Sequence, residues 1–574
     1  MAAIISNNFR ALNAKGFIED VRSELSNVYI GVGKATAWQD SAPSLSDFTD
    51  SAAATPADTI DDLNQARANM VGIKLLRDND VSHVAPRHDW AAGEIYDPWD
   101  SNDTNIYEKP FYVLTNDFKV YKCIDRETLV SKTSDVPTKV QAAPFTTADG
   151  YTWKYMYTII AADSEKFLTR SYMPVKTLTV STSSLAGAVT TTYDASADRV
   201  VEMLHENPNI MVGQTVSASG LNDGTFATTT VVKAVSGRFV TMSSNTAQYI
   251  TDDGTTFTFG DFEDTNPLYD QQQAQKDSIA IKGGIDRIEV TNVGTGITNT
   301  KTEIADQIHI VGDGLNAAVA TSAGITQSAN TVTRIVPTTP GTGYSVADVS
   351  VINDSLTGSG LAARAIIGPP SGHGADPVAE LGGFYIGLNS QISGIDDVDI
   401  ANNQDFRQIT VLKNPTVGGA VQTEAIAAAT SSNRGTFRTT KFVTYAADGS
   451  HDNDVATMAG FVANGNDVLI KGATAINGVL PQAYVVNVDQ TAGVRKIYYV
   501  QDSLTGYQAF APTGDITYAH SGAPTGSQGP ITLAASNGTT EFDKTSGEIL
   551  FLENRDPIQR SSTQIEDIKL IIEF

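Results

Sequence analysis

Apolar residues in this chain recur mostly at every second position. Over 568–574, Ile568, Leu570, Ile572 and Phe574 fall on one side while Lys569 and Glu573 take the other, which is the period of a half-buried strand. Tyr151, Trp153, Tyr155, Tyr157 and Ile159 alternate in the same way with Thr152, Lys154, Met156 and Thr158; such an aromatic stripe suits a sugar-binding platform or a packed face, and the packed face is expected. Residues 549–552 are apolar throughout, the pattern of a strand covered on both faces. Asn554, Arg555, Asp556 and Pro557 behind it supply turn chemistry, because proline fixes its own φ and restricts the residue before it. Residues 111–114 and 118–124 read as a hairpin across Thr115-Asn116-Asp117, and 28–32 and 71–76 as short strands. Helical spacing appears near the start. Phe9, Leu12, Phe17, Ile18, Val21 and Leu25, behind a cap at Asn7 or Asn8, give an amphipathic helix interrupted at Gly16. Ile60, Leu63 and Met70 share a face behind a cap at Asp58, with Asp61 and Asp62 in the first turn, where the helix dipole favours acids.

At about residue 176 the pattern changes. Residues 178–262 are Thr, Ser, Val, Ala and Gly in short alternating runs such as 214–219 and 255–259, separated by Gly and Asp turns; this is a small all-β domain. A polar link follows at 270–277. Then the chain repeats: RIEVTNVGTGI from Arg287 aligns with RIVPTTPGTGY from Arg334, and Gly312-Asp313-Gly314-Leu315-Asn316-Ala317 aligns with Gly358-Ser359-Gly360-Leu361-Ala362-Ala363, at spacings of 47 and 46 residues. Pro369-Pro370 to Pro377 is a rigid link that returns the chain to its core, where 383–388 starts a strand. After Asn414-Pro415 a second departure, 416–540, opens with a short helix at 423–429 and continues in β-like pieces. The expected fold is mainly β and multidomain, with a discontinuous α+β hub made of 1–175, 376–415 and 541–574. The inserts are a small all-β domain at 176–270, two β repeats at 271–375 and a β-rich domain at 416–540. Such insertion costs a host little when the ends of each insert lie close together.

Size supports several domains, since 574 residues exceed what one core serves. Hydrophobic content of 41% and charged content of 18% indicate a globular chain. A formal charge of −26 disfavours nucleic acid and anionic membrane surfaces as partners. The lone cysteine, Cys123, reads as a small hydrophobe on a strand. No apolar run is long enough to span a membrane and no leader is expected, which places the chain in the cytosol of the producing cell until it assembles.

Candidate chemistry is sparse. Val84-Ala85-Pro86-Arg87-His88-Asp89-Trp90 gathers four reactive or aromatic residues, but neighbours on an extended chain point to opposite sides, so a His88–Asp89 catalytic pair is not expected. The structural reading has Trp90 packed and Arg87 paired with a carboxylate. The glycine turns at 312–317 and 358–363 fit a G-x-G-x-x-A dinucleotide fingerprint, yet their recurrence at one place in each copy argues for a turn that the repeat needs. His373 with Asp376 falls short of a metal ligand set. The acidic run 395–399 lacks EF-hand spacing. Nucleophile elbow, H-E-x-x-H and P-loop patterns are all missing, so neither enzymatic activity nor a cofactor or metal is expected.

Several stretches, in one order along the chain, resemble the gene product eight family, the baseplate wedge subunit of T-even-type contractile-tailed phages. They are 28–38 (VYIGVGKATAW), 84–90 (VAPRHDW), 120–124 (VYKCI), 149–155 (DGYTWKY), 406–410 (FRQIT) with Asn414-Pro415, and 547–558 (GEILFLENRDPI) with the last strand. The positions that carry the resemblance are Pro86, Arg87, Asp89, Trp90, Tyr151, Trp153, Tyr155, Phe406, Arg407, Gln408, Asn414, Pro415, Glu553, Asn554, Arg555 and Pro557. The resemblance covers most of 1–175, about 380–415 and 545–574, and none of the inserts. It implies a structural virion protein of the tail baseplate, assembled in the host cytoplasm. It implies a dimer within each wedge, contacts with the wedge proteins called gene products seven, ten and six, and rearrangement when the sheath contracts. The Thr/Ser/Gly-rich inserts suggest an alternative, a tail-associated carbohydrate-binding protein or depolymerase.

Overall fold

The computed structural model describes residues 4–574 except 23–25, 39–50, 127–132, 140–143, 176–180, 185–198, 204–213, 220–229, 237–238, 244–255, 263–281, 371, 375, 394–399, 418–419, 422–434, 447, 492–494, 522, 539–545 and 562. The expected link at 270–277, the acidic run at 395–399 and the short helix at 423–429 lie outside the described residues. The chain is mainly β, 45% strand against 16% helix. It divides into two compact units, one of 1–15, 82–387 and 571–574, the other of 16–81 and 388–570. The stretch 1–175 is therefore shared between the units, and the strands Tyr385–Ile392 and Glu566–Glu573 each run from one into the other.

The first unit is built on a four-stranded antiparallel sheet in the order Tyr112–Leu114, Lys119–Arg126, Tyr151–Thr158, Phe145–Thr146. The hairpin across Thr115–Asp117 forms as expected, with Leu114 opposite Val120. Both faces of this sheet are covered. Tyr121, Cys123, Tyr151, Trp153 and Tyr155 fill one core, while Val120, Met156, Tyr157 and Ile159 fill the other. The expected alternation breaks because the register shifts between Val120 and Tyr121, whose partners are Tyr157 and Tyr155. Met156 is the extra residue, and a bulge of this kind flips every later side chain to the opposite face. Lys154, expected on a polar face, is fully buried.

Beyond this sheet, the repeats form a body of their own in which Ile325–Ser328, Thr331–Ile335, Ile285–Thr295 and Ser359–Ile367 pair in that order. The two copies meet at Ile288 and Ile335, paired antiparallel. These residues are 47 apart, the same spacing as Arg287 and Arg334. Pairing of corresponding residues is what a local two-fold axis imposes. Each copy closes with two glycines in the left-handed region, Gly294 and Gly296 at φ 68° and 70°, Gly341 and Gly343 at 66° and 77°. Ile297 and Tyr344 then enter the same core. Neither G-x-G-x-x-A segment opens a helix: Asn316 bridges to Thr342, and Gly358 leads into the strand Ser359–Ile367. The described strands of 181–262 form two three-stranded sheets over a small core that includes Val201, Val240, Phe257 and Phe259.

The second unit centres on a five-stranded sheet in the order Thr436–Arg438, Met70–Leu75, Val28–Gly33, Asp405–Lys413, Glu548–Gln559. Here two expectations change. Leu550 is 41% exposed, because Glu548–Gln559 is the edge strand and has a sheet neighbour on one side alone. Asn554–Pro557 is no turn; the strand runs through it, with Gln408 opposite Asn554 and Phe406 opposite Ile558. Proline has no N–H for the ladder, and the bulge absorbs it. The helix Ile60–Asn69 is capped by Thr59, not Asp58, and Ile60 is exposed. The helix Asn7–Arg22 runs unbroken through Gly16.

Residues 441–538 close into a six-stranded antiparallel barrel, with the helix Asp452–Ala463 contributing Val455, Met458 and Val462 to its core. The barrel's outer face supplies Leu469, Tyr484, Val486, Tyr498 and Val500, which pack on Ala35 and Val71.

The repeat glycines offer a direct test. A methyl group on Gly296 would meet its nearest neighbour, the Gly358 Cα, at 3.8 Å, whereas on Gly341 it would meet Asn316 O at 2.6 Å and Ala318 N at 2.7 Å. Gly296→Ala is expected to lose about 1–2 kcal/mol from left-handed strain alone, and Gly341→Ala clearly more. Urea unfolding of the two variants measures the difference, and equal losses would refute the packing argument.

Candidate functional site

The sixteen positions singled out from the sequence gather into two sets. In the first unit, Pro86 ends a short pairing with Tyr172 and its carbonyl accepts from the Tyr112 hydroxyl at 2.6 Å. Arg87 reaches the Asp89 carboxylate at 2.7 Å and the Thr169 carbonyl at 2.9 Å. Trp90 packs beside Tyr151, Trp153 and Tyr155, and its backbone N–H donates to Leu114 O. His88 stands edge-on to Tyr112 and shares no site with Asp89. The motif is a corner that ties this segment to the aromatic sheet. Because the aromatic stripe is buried, it presents no platform for a sugar ring.

In the second unit, Phe406, Arg407 and Gln408 lie between two other matching stretches. Arg407 donates to the carbonyl of Ala35 at 3.1 Å and pairs with Asp405 at 3.0 Å. Gln408 donates to Asn554 Oδ1 at 2.8 Å. The Trp38 indole donates to the Arg555 carbonyl at 3.0 Å, and Arg555 pairs with Glu553 at 2.7 Å. Asn414, left-handed at φ 49°, exchanges two bonds with Asn27: its backbone N–H donates to Asn27 O at 2.7 Å and its Oδ1 accepts from Asn27 N at 2.8 Å. Pro415 Cα lies 3.0 Å from where a side chain on Gly547 would begin, and Pro557 sits exposed at the bulge.

A polar cluster that periodicity did not reveal lies under the loop 369–377. Lys122, on the central strand of the aromatic sheet, is fully buried and pairs with Glu380 at 2.8 Å, itself 3% exposed. The ammonium sits 4.0 Å from the centre of the Trp99 ring. Glu380 also accepts the backbone N–H groups of Gly374 and Asp376 at 2.8 and 3.1 Å, while the Asp376 side chain caps the helix Pro377–Leu381. His373 Nε2 meets Asp286 at 2.6 Å, and its Nδ1 lies 3.8 Å from Glu380. Burial pushes the Lys122 ammonium below its usual pKa, against the pull of Glu380. Nothing near Lys122 in the sequence marks it out, and only the contact with Glu380, 258 residues away, reveals its role.

Arginines extend the cluster. Arg287 donates to the carbonyls of Trp99 and Ile124, and Arg334 pairs with Asp125. The two corresponding arginines of the repeat thus converge on adjacent residues of one strand. Arg364 adds a bond to Asp100 at 2.5 Å. A comparable pair, Lys34 with Asp502 at 3.0 Å and both about 7% exposed or less, joins the five-stranded sheet to the barrel. Lys122 with Glu380 and Lys34 with Asp502 are buried ion pairs, while His373 Nδ1 is buried without a hydrogen-bond partner. Among the described residues no group of three or more His, Cys, Asp or Glu is placed to hold a metal. A cleft at the barrel beside Gly472, Pro481 and Phe510 has an open volume of about 170 Å³, below the roughly 300–1,000 Å³ of ligand sites. Among the described residues no helix is long and apolar enough to cross a membrane. No family model matches this sequence, and no curated protein matches it either.

Two outcomes follow from these contacts. Lys122→Met leaves Glu380 buried without its cation and is expected to lose about 3–5 kcal/mol in urea unfolding, with Lys122→Met/Glu380→Gln recovering a substantial part; a loss under about 1 kcal/mol would show that the pair does not hold the loop. For His88, burial holds the imidazole below its ordinary 6.5, opposed by Asp89. The unfolded chain then binds the proton first as pH falls, so stability is lost on acidification. Between about pH 7.5 and 5.5 the native protein is expected to lose more stability than His88→Phe; parallel curves would contradict this.

Proposed function

We propose that this chain is a structural subunit of the baseplate wedge of a contractile phage tail. The observation that carries the reading is the way the family-like stretches interlock. Residues 28–38, 406–415 and 547–558, separated by hundreds of positions, form adjacent strands of one sheet and bond through the very residues that carry the resemblance. Residues 84–90, 120–124 and 149–155 likewise share one core. A sequence likeness confined to residues that support one another is what a shared scaffold leaves behind, since scattered chance matches have no reason to touch.

The remaining segments close on themselves as a repeat body and a barrel, each held back by buried ion pairs. A subunit of this kind works through surfaces: it pairs as a dimer within a wedge, contacts the proteins called gene products seven, ten and six, and shifts between packings when the sheath contracts. Buried ion pairs and buried aromatics suit a mechanical part, and no reaction on a substrate is assigned.

The test is a density map of intact virions together with the solution mass of the purified chain. Six-fold sets of this chain around the tail hub, and a dimer in solution, are expected. Copies on the capsid lattice would overturn the reading, as would a homotrimer that cleaves host polysaccharide, the behaviour of a depolymerase.

A further inference from the structure

Lys122 and Glu380 have more around them than an ion pair needs. Their side chains are 0% and 3% exposed, with Nζ 2.8 Å from Oε2. Lys122 lies on the strand Lys119–Arg126 and Glu380 on the helix Pro377–Leu381, so two regular elements hold them in register. The carboxylate is also gripped on its other oxygen: Oε1 accepts the backbone N–H groups of Gly374 and Asp376 at 2.8 and 3.1 Å, and Gly374 reaches Oε2 as well at 3.0 Å. The Trp99 ring covers the ammonium, its centre 4.0 Å from Nζ. Beside Oε2 stands His373, 2% exposed, its Nδ1 at 3.8 Å and without a hydrogen-bond partner. Asp286 holds the opposite ring nitrogen, Nε2, at 2.6 Å. With Nε2–H donating to Asp286, the Nδ1 lone pair is left for the Glu380 side.

We propose that Lys122 and Glu380 condense within the folded chain, forming an isopeptide bond from Lys122 Nζ to Glu380 Cδ and releasing one water. The ion pair is the reactant. A proton passes from Nζ to Oε2, leaving a neutral amine against a neutral carboxylic acid, a transfer that a dry site favours because charge is what the interior penalises. The same burial is what holds the Lys122 ammonium below its usual pKa against the pull of Glu380. Nζ then adds to Cδ, and negative charge gathers on Oε1, where the Gly374 and Asp376 N–H groups already point; they form an oxyanion hole before the charge arrives. His373 Nδ1 takes a second proton from the nitrogen and hands it to Oε2. The Cδ–Oε2 bond breaks and Oε1 returns to a carbonyl. Of the three ammonium protons, two leave with Oε2 as water and one stays on the amide nitrogen. Nothing is oxidised or reduced, and no second reactant is needed.

Folding supplies the drive. Amine and acid are fixed against each other, a placement worth an effective concentration of roughly 10⁵–10⁸ M, and a site closed to solvent favours the side of the condensation that expels water. Lys34 with Asp502 provides the contrast. Burial raises the Asp502 carboxyl, but Lys34, the Thr505 backbone and Thr36 together hold it below its ordinary value, so that acid stays ionised and its pair is not expected to react. The bond ties positions 258 residues apart and closes the β repeats into one covalent loop. Tension between the strand of Lys122 and the segment after Glu380 then passes through the amide and bypasses the repeats. The inference follows from the side chains at this one place and holds whether or not the chain belongs to a baseplate.

The experiment is the mass of the purified full chain in denaturant. The wild type is expected to be one water lighter than its sequence, allowing for removal of Met1, and Lys122→Arg, which keeps the charge but forms no such amide, to show its full mass. Proteolysis of the wild type is expected to give a branched peptide joining the segments of Lys122 and Glu380, absent from Lys122→Arg, with Lys34 and Asp502 on separate linear peptides. For the rate, chain made in a cell-free extract is quenched in acid at intervals. His373→Phe, folded by circular dichroism, is expected to form the branched peptide at least about tenfold more slowly, a readout that packing alone does not move. A wild type of full sequence mass overturns the proposal. So does a water lost elsewhere, as in a succinimide at an Asp-Gly step, with Lys122 and Glu380 on linear peptides, and so does a His373→Phe rate equal to that of the wild type. Because the wild-type mass and peptide map decide by themselves, a variant that fails to fold leaves the test intact. A missing bond leaves the baseplate reading standing, since that reading is tested on virions.

Discussion

A charge removed from water must find an opposite charge inside the protein, and the rest of this structure depends on how that demand is met. Lys122 and Glu380 are 258 residues apart in sequence, and Lys34 and Asp502 are 468 apart, yet each pair is buried at a junction. In the first, a loop that returns from the repeats is locked to the aromatic sheet. In the second, the barrel is locked to the strand region that precedes it. Apolar contact at these junctions is tolerant of sliding, since hydrophobic attraction scales with area and has no direction. An ion pair with two further backbone donors on the same carboxylate allows a single register. The pairs therefore contribute more to arrangement than to net stability.

The same logic explains the arginines of the repeat. Duplication placed Arg287 and Arg334 at corresponding positions, and the local two-fold axis through Ile288 and Ile335 brings both to one edge of the body. There they meet the Trp99 and Ile124 carbonyls and the Asp125 carboxylate. Burial pushes the Asp125 carboxyl upward and the two arginines pull it back. One anchoring strand thus receives equivalent side chains from both copies, and the symmetry of the repeat becomes a two-point attachment.

Much of the fold was legible because strand periodicity is local. The hairpin at 112–126, the repeat, its glycine turns and the packed role of Tyr151, Trp153 and Tyr155 follow from neighbouring residues. What failed to show was whatever depended on a distant partner. The bulge at Met156 arises from the register with Val120 and Tyr121. Pro557 reads as a turn in isolation and becomes a bulge only because the strand Asp405–Lys413 holds both sides of it. Lys154 reads as a polar-face residue, and nothing near Lys122 marks it as buried, because no sequence window contains what covers them. Phe9 and Leu12 fit a helical period and yet lie exposed, since period alone does not say which apolar residues turn inward.

The long separation between paired strands has a further consequence for how the polypeptide emerges from a ribosome. In the sheet of the second unit, Val28–Gly33 lies between Met70–Leu75 and Asp405–Lys413. One neighbour arrives almost at once; the other waits for nearly four hundred more residues to be translated. Chain-local bodies such as the repeat can close while synthesis continues, whereas this early strand must remain half-paired, with an unsatisfied edge of the kind that invites misassociation. The order in which the strands are made therefore leaves that edge open until Asp405–Lys413 has been synthesised.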